Sequence, residues 1–290
     1  MQCSFPQVRY INRRTGEYVV HACGRCRACR RNKSREWQFR VFAESLSYKD
    51  SIFLCLTYDD EHLPISEKGY PTLVKEHLQD FMKRFRYYVG KCRYYACGEY
   101  GSWQNTHRPH FHLIVYGVSP DNPVFTHKYI LPKNNTICAT CKAWDYGDVN
   151  IGDVSIKSCH YCCEYMEKRK TGKLAKYYFD KFGILPEFGV MSLKPGIGYK
   201  YLKENETLIK KRGYCMMKGH KVPLPRYYID KMFECDTDEY EQFKAERSKQ
   251  SAERWKKFFS SRKIGDFSER AYYRSYLEQQ EVNLMKGEQN

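Results

Sequence analysis

Two β-rich runs lie so close together in this chain that their relation constrains everything around them. "CRYYACGEYG" (Cys92–Gly101) and "PHFHLIVYG" (Pro109–Gly117) each read as a strand, and only "SWQNTHR" joins them. They are therefore consecutive strands and an antiparallel pair. Side chains alternate across a strand. His110 and His112 thus share one face with Ile114 and Tyr116, while Phe111, Leu113 and Val115 take the other, the core face. Two imidazoles on one face of one strand suit a divalent cation. Glu99, at the end of the first strand, sits where the partner strand brings a third ligand, although another acid or a water fills that role equally well. A His₂/carboxylate set with open positions suits a metal that also binds phosphate oxygens and water. Taken alone, such a histidine pair is just as well an ordinary strand edge hydrogen-bonded to a loop.

The neighbouring pattern supplies the rest of a domain. "SIFLCLTYDD" (Ser51–Asp60) is a short apolar run ending in acidic turn residues, and reads as a strand. "KEHLQDFMKRFRYYVG" places Leu78, Phe81, Met82, Phe85 and Val89 at helical spacing, with Gly90 as a stop. A weaker helical pattern through Trp37, Val41 and Tyr48 spans about 34–48. Residues 118–157 are rich in turn formers, with "DVNIGDVSI" as a strand pair or one bent strand. Residues 158–182 read as helix, broken near Gly172. "PGIG" (195–198) is a tight loop, and the charged residues beyond about 236 read as peripheral helix. This order predicts an α+β domain: a central antiparallel sheet with flanking helices. The boundaries fall at a basic cysteine-rich segment (1–36), the main domain (37–235) and a charged helical tail (236–290).

Charge narrows the partners. Fifty Lys+Arg against 34 Asp+Glu leave +16, which favours a polyanion and most simply nucleic acid. Basic and aromatic residues mix in "CRRNKSR" (29–35), "KRFRYY" (83–88) and "KRKTGK" (168–173), as a single-strand groove requires. Arg108, beside the histidine strand, and Arg30 and Arg31 are the DNA-binding candidates. Neither GxxxxGK[ST] nor GxGxxG occurs, so a nucleotide-binding loop is not supported. No apolar run reaches the length of a membrane span, and the first residues carry no secretory signal pattern.

Two further clusters carry chemistry. In "CHYCCEYMEKRK", Tyr161, Tyr165 and Lys168 stand at i, i+4 and i+7, one face of a helix. A phenol with a pKa near 10 is a poor nucleophile at neutral pH. A metal on the phosphate and a nearby lysine would help it attack. In a chain with 26 tyrosines the same spacing is also ordinary packing. Cys23, Cys26 and Cys29 form CxxCxxC in a short basic stretch. Zinc is one reading, with Cys3, His21 or a distant cysteine as fourth ligand. Cys138, Cys141, Cys159, Cys162 and Cys163 are small core residues or further zinc ligands.

The conjunction resembles the HUH endonucleases. "HFH" matches the His-hydrophobic-His motif, "YCCEYMEK" the two-tyrosine helix, and "FLCLTYDDEHLP" (53–64) the first motif of rolling-circle initiators. With "CGEYG" and "MSLKPGIGYKYL" in the same order, residues 20–205 look like the replication initiators of gokushovirus-type microviruses, small single-stranded DNA phages. The resemblance implies an RRM-like palm and site-specific nicking of single-stranded origin DNA. Glu99, His110 and His112 match its metal triad for Mg²⁺ or Mn²⁺. Tyr165 matches the first nucleophile, Tyr161 the alternating second, and Lys168 the residue neutralising the scissile phosphate. The product is a 5′-phosphotyrosine with a free 3′-hydroxyl for a host polymerase, with a host helicase unwinding, in the host cytoplasm. A later strand transfer closes the circle. A non-catalytic, zinc-stabilised single-strand-binding protein is the competing reading.

Overall fold

The computed structural model describes residues 3, 7–12, 17–101, 107–131, 136–168, 173–234 and 237–260. In chain order the elements are β1 (Gln7–Asn12), β2 (Glu17–His21), α1 (Arg27–Ser45), β3 (Ser51–Thr57), α2 (Lys75–Val89), β4 (Arg93–Tyr100), β5 (Pro109–Tyr116), β6 (Phe125–Leu131) and β7 (Thr136–Cys141). There follow β8 (Trp144–Asp153), α3 (Ile156–Lys168), α4 (Lys173–Phe182), β9 (Phe188–Met191), α5 (Tyr199–Arg212), β10 (Cys215–Met217), β11 (His220–Val222), α6 (Arg226–Met232) and α7 (Asp238–Ser260). The chain divides into two units, one of residues 33–223 and one of residues 1–32 with 224–290.

The larger unit is built on a seven-stranded antiparallel sheet of order β6-β7-β8-β3-β5-β4-β9. It is the α+β architecture the sequence predicts. β5 is central and pairs on both sides, with β3 and with β4. Both of its faces are covered, which explains why "FHLIVY" is nearly continuous in apolar character rather than strictly alternating. On one face Leu54, Leu56, Phe111, Leu113 and Val115 meet α2 through Leu78, Phe81, Met82 and Phe85. Burying those four side chains contributes roughly 6–12 kcal/mol. α2 stops at Gly90, whose φ of 80° admits no ordinary side chain, and the Gly90 N–H closes the last turn on the Arg86 carbonyl.

On the opposite face Tyr95, Cys97, Ile114 and Tyr116 meet Val41 of α1 and Cys159, Cys162, Cys163 and Tyr165 of α3. The α3 cysteines are therefore core, packed at i, i+3 and i+4. Among the described residues none of them, nor Cys138 or Cys141, joins a group able to hold a metal. Glu44 of α1 is buried and ion-paired to Arg93 of β4 at 2.6 Å, and it also accepts the Gly198 N–H at 2.6 Å. That contact fixes α1 and the 195–198 turn against the sheet.

Where the structure departs from sequence expectation, the cause is local. β6 and β7 occupy a stretch that reads as turns, because their exposed residues ("FTHKYIL") bury little beyond Phe125. α1 begins at Arg27, well before residue 34, through a polar turn with no apolar period. β9 and α5 lie in the "EFGVMSLKPGIGYKYL" region, where only the loop is legible. "DVNIGD" belongs to one ten-residue strand, β8. No described helix is long and apolar enough to cross a membrane.

Candidate active site

The register of the sheet builds the site. Glu99 on β4 stands directly opposite His110 on β5, which stands opposite Thr57 on β3. One row along, Asn150, Cys55, His112, Cys97 and Gly189 follow each other across five strands. Because partners across a ladder share a face, Glu99, His110 and His112 converge on the α3 side of the sheet. Glu99 Oε1 lies 3.0 Å from His112 Nε2 and 3.6 Å from His110 Nε2. The ligand atoms of the three all fall within 4.8 Å of one another.

This donor set fits a divalent cation. Metal–ligand bonds of about 2.1 Å at right angles put adjacent donors about 3 Å apart, close to the spacings seen. His110 Nδ1 lies 3.1 Å from the Arg108 carbonyl, so donation there fixes the tautomer with Nε2 free to ligate. His112 stacks on Phe53, with ring centroids 5.6 Å apart, and Tyr161 crosses it edge-on at 4.7 Å, so its ring is held from both sides. Burial works against the Glu99 charge, but the hydrogen bonds from His110 and then His112 outweigh it and hold the carboxyl at about 2. Without a cation, imidazole protons answer that carboxylate. A cation would displace them.

The two tyrosines of α3 are placed differently. Tyr161 is 46% exposed and lies over His112. Burial, and then the nearby Glu99 charge, push its phenol up to about 12. Tyr165 is 7% exposed and sits among the core side chains. Its hydroxyl comes to Gly189 so closely that a Cβ there would meet it at 2.0 Å. His112 and Gly189 are two strands apart on one row, so α3 carries its tyrosines across the sheet, one over the triad and one away from it. Lys168 ends α3, and its side chain lies outside the described residues.

Arg108, a DNA-binding candidate from its position, is engaged elsewhere. Its guanidinium bonds Asp60 at 2.5 Å and the carbonyls of Tyr58 and Asp59 at 2.9 Å each, drawn there by the adjacent acidic pair. It anchors the turn after β3 beside the triad. Arg30 and Arg31 lie half-buried on the first turns of α1. Cys23, Cys26 and Cys29 do converge, and Cys3 joins them, with all four sulfurs within 4.8 Å. Phe53 and Gly189 were not foreseen as neighbours of the site. Strand register, rather than any motif, is the signal that reaches them.

The family model of the ORF2-type replication-associated proteins matches residues 51–170. The chain is 30% identical over 230 residues to "Replication-associated protein ORF2" of Spiroplasma virus 4, covering 75% of this chain and 68% of the relative. It is 30% identical over 229 residues to "Replication-associated protein VP4" of Bdellovibrio phage phiMH2K, covering 72% and 66%. A 26% match over 218 residues joins it to "Replication-associated protein ORF4" of Chlamydia phage 1, covering 72% and 52%. No solved structure matches it significantly.

Proposed function

Since this chain belongs to the ORF2-type family of replication-associated proteins, we propose that it initiates rolling-circle replication of a single-stranded DNA phage inside its bacterial host by nicking and later rejoining origin DNA. The observation that carries this reading is the convergence of Glu99, His110 and His112 beneath an exposed tyrosine on α3. In this HUH-type reading Glu99, His110 and His112 hold Mg²⁺ or Mn²⁺, which polarises the scissile phosphate and offsets its charge.

Tyr161 is the first nucleophile, the reverse of the order expected from motif position, because it is the tyrosine that is both exposed and beside His112. Its Oη forms a bond to phosphorus as the bond to the 3′-oxygen breaks. The phenolic proton is lost, the 3′-oxygen leaves as a hydroxyl, and the 5′-phosphate stays on Tyr161. The phosphotyrosine retains the energy of the cleaved diester, so a 3′-hydroxyl can later attack it and close a circle. Tyr165 is the second nucleophile and needs α3 to shift before it reaches the triad. Lys168, on the family resemblance, neutralises the phosphate. Arg30 and Arg31 follow the DNA backbone, while Arg108 holds the turn at 58–60 in place. The cysteine cluster takes no part in this chemistry. The 3′-hydroxyl would serve a host polymerase, with a host helicase opening the duplex.

The test incubates the full chain and Mn²⁺ with labelled single-stranded DNA from the genome that encodes it. A protein–DNA adduct that survives denaturation and maps by mass spectrometry to Tyr161 is expected. Tyr161→Phe should lower its yield at least a hundredfold, and Glu99→Gln should abolish the response to Mn²⁺. An undiminished adduct in the Tyr161→Phe/Tyr165→Phe double variant would overturn the assignment. Tight binding that survives EDTA with no adduct under any metal would favour a non-catalytic single-strand binder.

A further inference from the structure

We propose that Cys3, Cys23, Cys26 and Cys29 form a structural zinc site, independent of the nickase reading. The backbone brings the four together twice over. In the β1–β2 ribbon Gln7 pairs with His21, so the chain enters and leaves side by side. Cys3 lies just before that entry and Cys23 just after that exit. Cys26 immediately precedes α1 and Cys29 lies in its first turn. Three residues apart on a helix, the two project to one side. The ends of a ribbon and the start of a helix thus meet at four sulfurs.

Their geometry is that of one tetrahedral ion. Zinc–sulfur bonds of about 2.3 Å set the edge of a sulfur tetrahedron at about 3.8 Å. Cys23 Sγ is 4.0 Å from Cys29 Sγ, and Cys26 Sγ is 3.9 Å from Cys3 Sγ. All four lie within 4.8 Å of one another, which is a single cluster rather than two separate pairs. Sulfurs this close leave room for one ion, not for an iron–sulfur cluster. An all-sulfur donor set selects a soft or borderline metal. Backbone N–H groups point at the sulfurs: Cys23 N–H donates to Cys3 Sγ at 3.2 Å, and the Arg25 and Cys26 N–H groups donate to Cys23 Sγ at 3.5 and 3.4 Å. Such donors support thiolate charge as they do around metals. Four thiolates with Zn²⁺ carry a net charge of about −2, set in a stretch that holds Arg25, Arg27, Arg30 and Arg31. There is also a need for the ion. A lone two-stranded ribbon is marginal in water, and small elements with little core depend on such staples.

The full chain, expressed in zinc-replete medium and dialysed, should hold about one zinc by mass-spectrometric metal analysis. Glu99→Gln should hold the same amount, which separates this site from the triad. Alkylation mapping should find the four thiols protected until a chelator is added. Cys3→Ala should lose zinc affinity at least tenfold, and Cys3→His, which keeps a ligand of another shape, should regain much of it. Should Cys3→Ala fail to fold, the alkylation of the unaltered chain decides. The proposal is overturned if the chain holds no zinc, if the zinc departs with Glu99→Gln, or if iron occupies the site. Disulfide-linked peptides pairing Cys3 with Cys26 and Cys23 with Cys29 would also sink it.

Discussion

Gly189→Ala is the substitution whose consequence can be worked most directly. An alanine Cβ at this position would lie 2.0 Å from the Tyr165 hydroxyl oxygen, 2.8 Å from Cζ and 3.3 Å from Cε1. Ordinary contact begins near 3.4 Å, so the phenol must retreat by about 1.4 Å. It has little room, being 7% exposed among Tyr95, Cys163 and Met191. Overpacking of this kind costs about 1–3 kcal/mol. For a chain this size that lowers Tm by roughly 2–4 °C for each kcal/mol. The same substitution paired with Tyr165→Phe removes the worst contact and leaves the one at Cζ. The double variant should therefore recover part, not all, of the loss, with a coupling energy of about 1 kcal/mol. Thermal unfolding of the four members of this cycle measures it. Adduct formation gives a second readout: if Tyr161 attacks first, Gly189→Ala should leave the first nick within about threefold of normal at temperatures where it is folded. Additive stability losses would refute the packing argument. A first nick lost along with Tyr165's position would refute the assignment of Tyr161.

Removing Arg93 as Arg93→Leu leaves Glu44 charged and buried, and should cost about 3–5 kcal/mol in denaturant unfolding; a cost under about 1 kcal/mol would mean that the Gly198 N–H alone holds the carboxylate. Glu99 provides a pH test in EDTA-treated protein. Its folded-state pKa of about 2 lies below the unfolded carboxyl's, so its stabilisation is complete above about pH 4.3 and is lost as pH falls towards 2. The stability gap between the unaltered chain and Glu99→Gln, on the order of 2–3 kcal/mol near pH 5, should close by about pH 2, and a gap that stays constant with pH would refute the ion-pair account.

The parts of the fold legible beforehand are those with strong periodicity. α2 and β3–β5 carry unbroken apolar patterns, and their bounds follow closely. The Glu99, His110 and His112 grouping was readable because a short connection fixes β4 against β5 and a period of two fixes which side chains share a face. The placement of Tyr161 and Tyr165 was not readable. Helical spacing puts both on one face, but which of them meets His112 depends on how α3 crosses the strands, and that is set by Cys159, Cys162 and Cys163 packing onto Cys97, Ile114 and Tyr116. Arg108 misled for a similar reason. Its charge is visible in sequence, but its acidic neighbours Asp59 and Asp60 come from a segment far along the chain. Cys3 stood among several options for a fourth sulfur until the β1–β2 register brought it beside Cys23.

β5 alternates two duties along eight residues: the odd positions Phe111, Leu113 and Val115 fill one core, while His110 and His112 open the other face to chemistry. Errors in such a strand are a matter of parity. A slip of one residue would turn both imidazoles into the packed face and push Phe111 and Leu113 into the site, losing stability and ligands in a single event. A slip of two would keep the faces correct and merely carry His112 away from Cys97 to stand opposite Glu99 or Tyr95. The large side chains that α2 presses against this strand from behind therefore act as the alignment marks of the metal site, although none of them comes near it.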